Sequence, residues 1–442
     1  MNIQLSDRFT FGRLFRFTLP SVVMMVFTSI YGVVDGFFVS NFVGKTPFAA
    51  VNFIMPFLMI LGTVGFMFGA GGSALISRTM GEGDDVRARK LFSLFVYVTA
   101  VCGVVLGIIG FIFIRPIAVW LGAGGDMLDN CVLYGRIILL ALPALMLQYE
   151  FQSFFITAEK PQLGLAVTVA AGVSNMVLDA LLTAVFPFGL AGAAVATAVS
   201  QVVGGVVPLF YFGRPDSSRL RLCKTSLDGR ALLKACTNGS SELMSNISMS
   251  IVGMLYNAQL IHYAGEDGIA AYGVMMYVSM IFMAIFIGYS TGVAPVVGYN
   301  FGADNRNELR NLYRKSLTVI LVSSAAMLAL AELLAQPLSS IFVGYDPELL
   351  DLTVRAFGVY SFSFLFAGIA IFGSAFFTAL NDGLTSALIS FLRTLVFQVA
   401  AVLIFPLIWD IDGIWLSTVA AEVMAAVVTV AFLVSKRKKF HY

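Results

Sequence analysis

The sequence predicts an all-α integral membrane protein in which twelve transmembrane helices form two six-helix lobes related by a parallel, pseudo-two-fold repeat. Three observations carry this: apolar runs of membrane length, basic residues gathered on one face, and a period of half the chain. Of 442 residues, 59% are hydrophobic and 12% charged, with mean hydropathy +0.90; an average soluble domain is about 25% charged. An ordinary soluble enzyme is excluded. A crossing takes about 20 apolar residues, so this length holds about twelve crossings and leaves no room for a soluble domain. The net charge of +2 indicates no nucleic-acid partner.

Apolar runs fall at 12–40, 47–77, 91–114, 130–157, 162–186, 189–213, 235–262, 268–297, 315–335, 350–379, 384–405 and 411–435. The first follows Arg8, Arg13 and Arg16 without a small-residue cleavage site, so it reads as an uncleaved span. The breaks carry turn chemistry, as in Gly44-Lys-Thr-Pro47, Gly81-Glu-Gly-Asp-Asp85, Glu159-Lys-Pro161 and Gly302-Ala-Asp-Asn305. Unbroken runs of this length fit helices and not the alternating ten-residue strands of a barrel. Gly65-x-x-x-Gly69 and Gly103-x-x-x-Gly107 read as close helix packing. Cys102, Cys131, Cys223 and Cys236 form no C-x-x-C pair and read as small hydrophobes, with neither a disulfide nor a metal site expected.

Twenty-two of the 27 Lys and Arg residues fall on the face that holds the amino terminus, and only Lys45 and Arg115 on the opposite one. Arg136, Arg355 and Arg393 lie inside spans. Because basic loops stay in the cytoplasm, both termini are expected there, with the protein in the plasma (inner) membrane.

Val43-Gly44-x-x-x-x-Ala49-Ala50 recurs as Ala264-Gly265-x-x-x-x-Ala270-Ala271, a shift of 221, and 442 is twice 221. The same shift carries Gly81 to Gly302, Pro116 to Pro337, Thr157-Ala158 to Thr378-Ala379, and Gly192 to Gly413. Six spans per half return the chain to the same side, so the repeats are parallel, an arrangement common in secondary transporters. Residues 1–213 are expected as one lobe, 214–230 as a cytoplasmic linker and 231–442 as the second lobe.

Charge inside hydrocarbon costs several kcal/mol and marks function by default. Asp35, Asp179 and Thr197 sit at a common depth, about 10 Å from the outer surface at 1.5 Å per residue. Asn175 lies four residues before Asp179 and shares its helix face. If the first span abuts the fifth and sixth, these residues make a dry pocket that holds a proton between close carboxylates or wraps a small hard cation such as Na+. No other metal is expected. The shift maps Asp35 to Tyr256, Asn175 to Val396 and Asp179 to Ala400, so the second half has no equivalent.

Other buried polar groups read less sharply. Glu422 maps to Gln201 and reads as structural; Glu332, Arg136 and Arg355 read as snorkelling. Glu150 and Glu242 are candidate counter-ions for a cationic substrate. Met55 and Met59 and their repeat mates Met276 and Met280, with Met283 on the same face, are either core or a soft, polarizable cavity wall. No G-x-S-x-G, H-E-x-x-H, P-loop or G-x-G-x-x-G is present.

Asp35 in a V-D-x-F-F-V context, the Gly81-Glu-Gly-Asp84 loop, and Asn175-x-x-x-Asp179 followed by Phe188-Gly-Leu-Ala-Gly192-Ala-Ala-Val-Ala-Thr197 resemble the multidrug and toxic compound extrusion (MATE) transporters, over essentially the whole chain. The resemblance implies an antiporter, not an enzyme, exporting organic cations or amphipathic compounds in exchange for H+ or Na+. It needs no cofactor beyond the coupling ion and no obligate protein partner. It assigns coupling to Asp35, Asn175, Asp179 and Thr197, with Tyr134 close by. It also implies a central cavity bordered by spans one, two, seven and eight, which adds Tyr256, Asn257 and Glu242 to the methionines. One branch of the family has carboxylates in spans seven and ten; here span ten offers only Asp351 at its edge, which points to the first lobe. A flippase of lipid-linked sugars from the same superfamily calls for a cationic cavity, and a membrane-embedded enzyme for a catalytic cluster; the spans supply neither.

Overall fold

The structure, a computed structural model, describes residues 3–215 and 218–442; Met1, Asn2 and two residues of the expected linker, Asp216 and Ser217, lie outside the described residues. The chain runs through α1 (Phe11–Phe38), a π-helical turn (Val39–Val43), α2 (Lys45–Gly81), α3 (Asp85–Trp120), α4 (Gly125–Leu140), α5 (Leu142–Thr157) and α6 (Pro161–Asp179). A second π-helical turn (Ala180–Val185) leads to α7 (Gly189–Gly213), α8 (Gly229–Gly302), α9 (Arg306–Val343), α10 (Pro347–Tyr360) and α11 (Ser363–Ala379). Then come α12 (Gly383–Phe391), a third π-helical turn (Leu392–Val396), α13 (Phe397–Ile404) and α14 (Pro406–Phe440).

These elements make twelve crossings among the described residues. Helices α4 and α5 form one span bent by 58°, and α10 and α11 another bent by 45°. Helix α8 is two spans hinged at Gly265, whose φ of 62° and ψ of −146° leave the helical region. Gly44, the residue 221 positions earlier, turns the chain between α1 and α2 at φ 128°. A side chain is strained at both turns, which is why glycine stands in each copy.

Every expected run is found, but the helices outrun the apolar stretches. The third, expected over 91–114, begins at Asp85 because Asp84 caps it, accepting from the Arg87 N–H at 2.9 Å. The ninth, expected over 315–335, begins at Arg306 because Asn305 accepts from the Glu308 N–H at 3.2 Å. Hydropathy measures the hydrocarbon crossing, whereas caps set the helix end. The two caps are themselves 221 residues apart.

The lobes meet at the basic end. A Cβ added at Gly81 would overlap the carbonyl oxygen of Tyr299, and one at Gly302 would overlap that of Arg78. The 221 shift exchanges these two contacts, so the interface has the pseudo-two-fold symmetry of the repeat. Deeper in, Gly71 lies against the Ala235 carbonyl and Gly239 against that of Met67, the backbone-to-backbone approach that small residues allow. The N-terminal segment straps the same end together: the Leu5 N–H donates to Glu159 in the first lobe at 2.8 Å, and the Phe9 N–H to Glu308 in the second at 2.9 Å. Lys315 donates to the Phe9 carbonyl at 2.6 Å.

At the other end Gly32, Gly253 and Gly273 meet nothing within 4 Å, and Met59, Met276 and Met280 are 36–39% exposed. The lobes close on the basic side and separate away from it. The described part of the connection between them lies along α3, where the Cys223 N–H donates to Ser93 at 2.8 Å and Arg219 pairs with Asp85 at 2.8 Å.

Candidate functional site

Helices α1, α6 and α7 bring the four expected oxygen-bearing side chains together. Thr197 donates to Asp35 at 3.4 Å, the Asn175 amide donates to Thr197 at 3.5 Å, and the carboxylates of Asp35 and Asp179 lie side by side. Asp179 is fully buried and Asn175 is 2% exposed. Both Asp179 carboxylate oxygens and the Asn175 amide oxygen lack a hydrogen-bond donor. Buried acceptors facing one another are unfavourable unless a proton or cation lies between them. This oxygen set suits a small hard cation as well as a proton. Among the described residues no three His, Cys, Asp or Glu side chains converge as transition-metal ligands.

Asp35, Asn175 and Thr197 open onto a cavity of about 120 Å³, lined also by Tyr31, Met55, Met59, Tyr134, Gln148 and Tyr149. Tyr134 is completely buried, and its hydroxyl donates to the Met55 sulfur at 3.9 Å; Tyr149 donates to the Met59 sulfur at 3.5 Å. Met55 and Met59, expected in a substrate cavity, thus border the polar pocket of the first lobe, because tyrosine hydroxyls take their sulfurs as acceptors.

A second cavity, of about 190 Å³, lies between the lobes. Its walls include Met25 and Asn246, Phe66 and Ile287, Ala70 and Thr291, and Ser73 and Ala294. Each pair is separated by 221 residues, so this cavity sits on the repeat axis. Glu242 breaks the symmetry: it lines the cavity, and its repeat mate is Ser21. Phe66 in this wall stacks on Tyr149 of the first-lobe pocket, with ring centroids 4.0 Å apart at 14°. One aromatic pair therefore partitions the two cavities.

Other expected residues lie elsewhere. Tyr256 is buried within the second lobe, its hydroxyl bonded to Gln398 at 2.8 Å and Thr418 at 3.0 Å, so it does not face the central cavity. Asn257, Met276 and Met280 are exposed and do not line the enclosed central cavity, while Met283 packs against the core. Glu150 is wholly buried with both carboxylate oxygens lacking a hydrogen-bond donor, Gly69 of α2 lies against its backbone, and it does not line the central cavity.

Glu422 forms a two-point ion pair with Arg393, 2.9 Å at each contact, as befits its reading as a structural site. Arg136 lies over Phe111 at 5.2 Å, Arg355 pairs with Asp412, and Glu332 accepts from Ser361. Sequence reasoning missed Gln148, Asn246 and the Phe66–Tyr149 partition. Applying the 221 shift to every residue of the second span would have flagged Phe66 and Ile287.

The MatE family model matches residues 20–181 and again 243–404, two copies 223 positions apart. The multidrug export protein MepA of Staphylococcus haemolyticus is 23% identical over 97% of this chain and 94% of its own length. MepA of Staphylococcus saprophyticus is 26% identical over 81% of this chain and 80% of its own. Among solved structures, an outward-facing multidrug resistance MATE family transporter of the MOP superfamily superposes with a TM-score of 0.93 at 22% identity. That match covers 99% of this chain and 98% of the other.

Proposed function

The chain belongs to the MatE family, and on that premise we propose that it is a secondary multidrug exporter that drives amphipathic cations out of the cell in exchange for inward H+ or Na+. The observation that carries the reading is the pair Asp35 and Asp179, held in a buried pocket with acceptors left over, one aromatic pair away from a cavity on the repeat axis. The basic end faces the cytoplasm of the plasma membrane, with both termini inside, so the lobes stand open outward.

From outside, the coupling ion enters the first-lobe pocket and lies among Asp35, Asn175, Asp179 and Thr197, with Tyr134 closing the floor. Neutralising the acidic pair lets α1 and α6 draw together. The Phe66–Tyr149 stack passes that movement to the central cavity, where substrate releases from Glu242. The ion must bind the two states with different affinity for this to work. Inward opening separates the glycine contacts at the basic end, the ion leaves, and a cation from the cytoplasm or inner leaflet binds against Glu242. A phosphate-bearing cargo is disfavoured: the central cavity presents a carboxylate and no Lys or Arg. No cofactor takes part.

Purified protein in liposomes, assayed for uptake of a fluorescent cation under an imposed proton or sodium gradient, tests this. Uptake is expected under one of the two gradients and lost with its collapse. Uptake indifferent to both overturns the reading.

A further inference from the structure

At the basic end, a groove of about 940 Å³ runs between the start of α1 and the start of α6. Arg13, Arg16 and Lys160 line it, and among the described residues none of the three pairs with a carboxylate. Among the described residues the Arg13 guanidinium donates only to the Arg8 carbonyl, at 3.2 Å. Two acids share the groove, but both are engaged: Glu159 accepts from the Leu5 N–H and lies 3.8 Å from Arg219, and Asp7 accepts from the Gln4 N–H at 3.1 Å. Just beyond the cationic lining, Phe11, Phe15 and Leu19 are 41–59% exposed. The groove is thus cationic at its mouth and apolar along the neighbouring helix face.

The second lobe shows what this place looks like when the protein fills it. The 221 shift carries Arg13 to Lys234, Phe17 to Asn238 and Lys160 to Asn381. There Lys234 donates to the Asn381 carbonyl at 2.7 Å, and Asn238 donates to the Asn381 side chain at 2.8 Å. Lys436 reaches into the same corner and donates to Asp382 at 2.6 Å. Every cation there has an internal acceptor.

We propose that the first-lobe groove binds the phosphate of an anionic phospholipid from the leaflet on the basic face. Arg16 and Lys160 flank the phosphate, and the acyl chains run along Phe15 and Leu19. Basic pockets between membrane helices on the cytoplasmic side are suited to such headgroups. Ile3 and Asp7 of the N-terminal strap also line the groove, so the bound lipid abuts the segment that ties the lobes together.

Native mass spectrometry of the full chain, with equal amounts of phosphatidylglycerol and phosphatidylcholine, tests the proposal. The unmodified protein is expected to retain phosphatidylglycerol preferentially. The double variant Arg16→Gln with Lys160→Gln is expected to lose about 25-fold in that retention, since each basic residue near an anionic surface contributes roughly a factor of five. Arg16→Lys with Lys160→Arg keeps the charge and is expected to keep the lipid, which separates loss of the site from loss of the fold. Equal retention by the Gln variant overturns the proposal. An equal loss in Arg310→Gln with Arg314→Gln, on the same face, overturns it in favour of diffuse surface charge, and displacement of the lipid by millimolar inorganic phosphate overturns it in favour of a free-anion site.

Discussion

The two lobes share a scaffold and differ in chemistry at the same depth. In the first, Thr197 meets Asp35; 221 residues later, Thr418 meets Tyr256, and the aspartate has become a phenol. Around this position the second lobe pairs its polar groups: Gln398 accepts from Tyr256, and Arg393 neutralises Glu422 through two contacts. The first leaves both Asp179 oxygens and the Asn175 oxygen without donors. Duplication fixed the positions, and a few substitutions decided which copy is a closed structural core and which retains acceptors for a cation. Buried polar groups that partner one another rigidify; those that do not require a ligand or a proton.

The largest effect that tests this contrast is on transport. Asp35→Asn or Asp179→Asn is expected to reduce cation efflux to background, a loss on the order of 100-fold for a coupling of this kind, with membrane expression unchanged. Tyr256→Phe, at the equivalent second-lobe position, is expected to leave efflux within about twofold. Drug resistance of cells carrying each variant reads both outcomes, and full resistance with either aspartate replaced breaks the comparison.

Stability is expected to show the reverse asymmetry. Arg393→Gln strands a Glu422 carboxylate whose side chain is 4% exposed, and breaking a buried pair in this way costs about 3–5 kcal/mol. Thermal unfolding in detergent is expected at a clearly lower Tm, with transport per folded molecule retained. A transport defect without a stability defect gives the second lobe a functional charge after all.

The pseudo-two-fold interface supplies a smaller effect. Gly81→Val and Gly302→Val each drive a side chain into the other lobe's carbonyl, at an overpacking cost of about 1–3 kcal/mol. Both are expected to shift the population toward the state open at the basic end, read as faster labelling of a cysteine introduced there. Equal shifts support the symmetry, whereas an effect confined to one of them removes it.

The smallest concerns Asp382 and Lys436, outside the spans. Burial pushes the Asp382 carboxyl up, but hydrogen bonds from Lys436 and Thr385 outweigh it and hold the group below the ordinary carboxylate range. Its contribution is therefore complete above about pH 4, the unfolded value, and fades as pH falls through the folded one. Lys436→Met is expected to cost about 1 kcal/mol or less at neutral pH, and nothing once Asp382 is protonated. A Tm difference that persists in acid contradicts the pairing.

Much of the fold was legible because hydrocarbon imposes its length on the sequence: all twelve crossings lie where apolar runs place them. The acidic pocket was legible for a related reason, since a carboxylate at that depth stands out against an apolar background. Residues whose role comes from a neighbour were not. Tyr256 reads as a cavity residue until Gln398 and Thr418 are seen to hold its hydroxyl. Arg393 reads as an isolated charge until the π-helical turn points it at Glu422. The stack of Phe66 on Tyr149 depends on the bend between α4 and α5, which no local pattern records.

The most direct test of the central claim is the ion-binding stoichiometry of the purified protein, followed as proton uptake by an indicator dye and as tracer sodium binding. The expected result is one saturable site for one of the two ions, lost in Asp35→Asn and unchanged in Glu422→Gln. A site that survives Asp35→Asn and disappears with Glu422→Gln would place coupling in the second lobe and contradict the account.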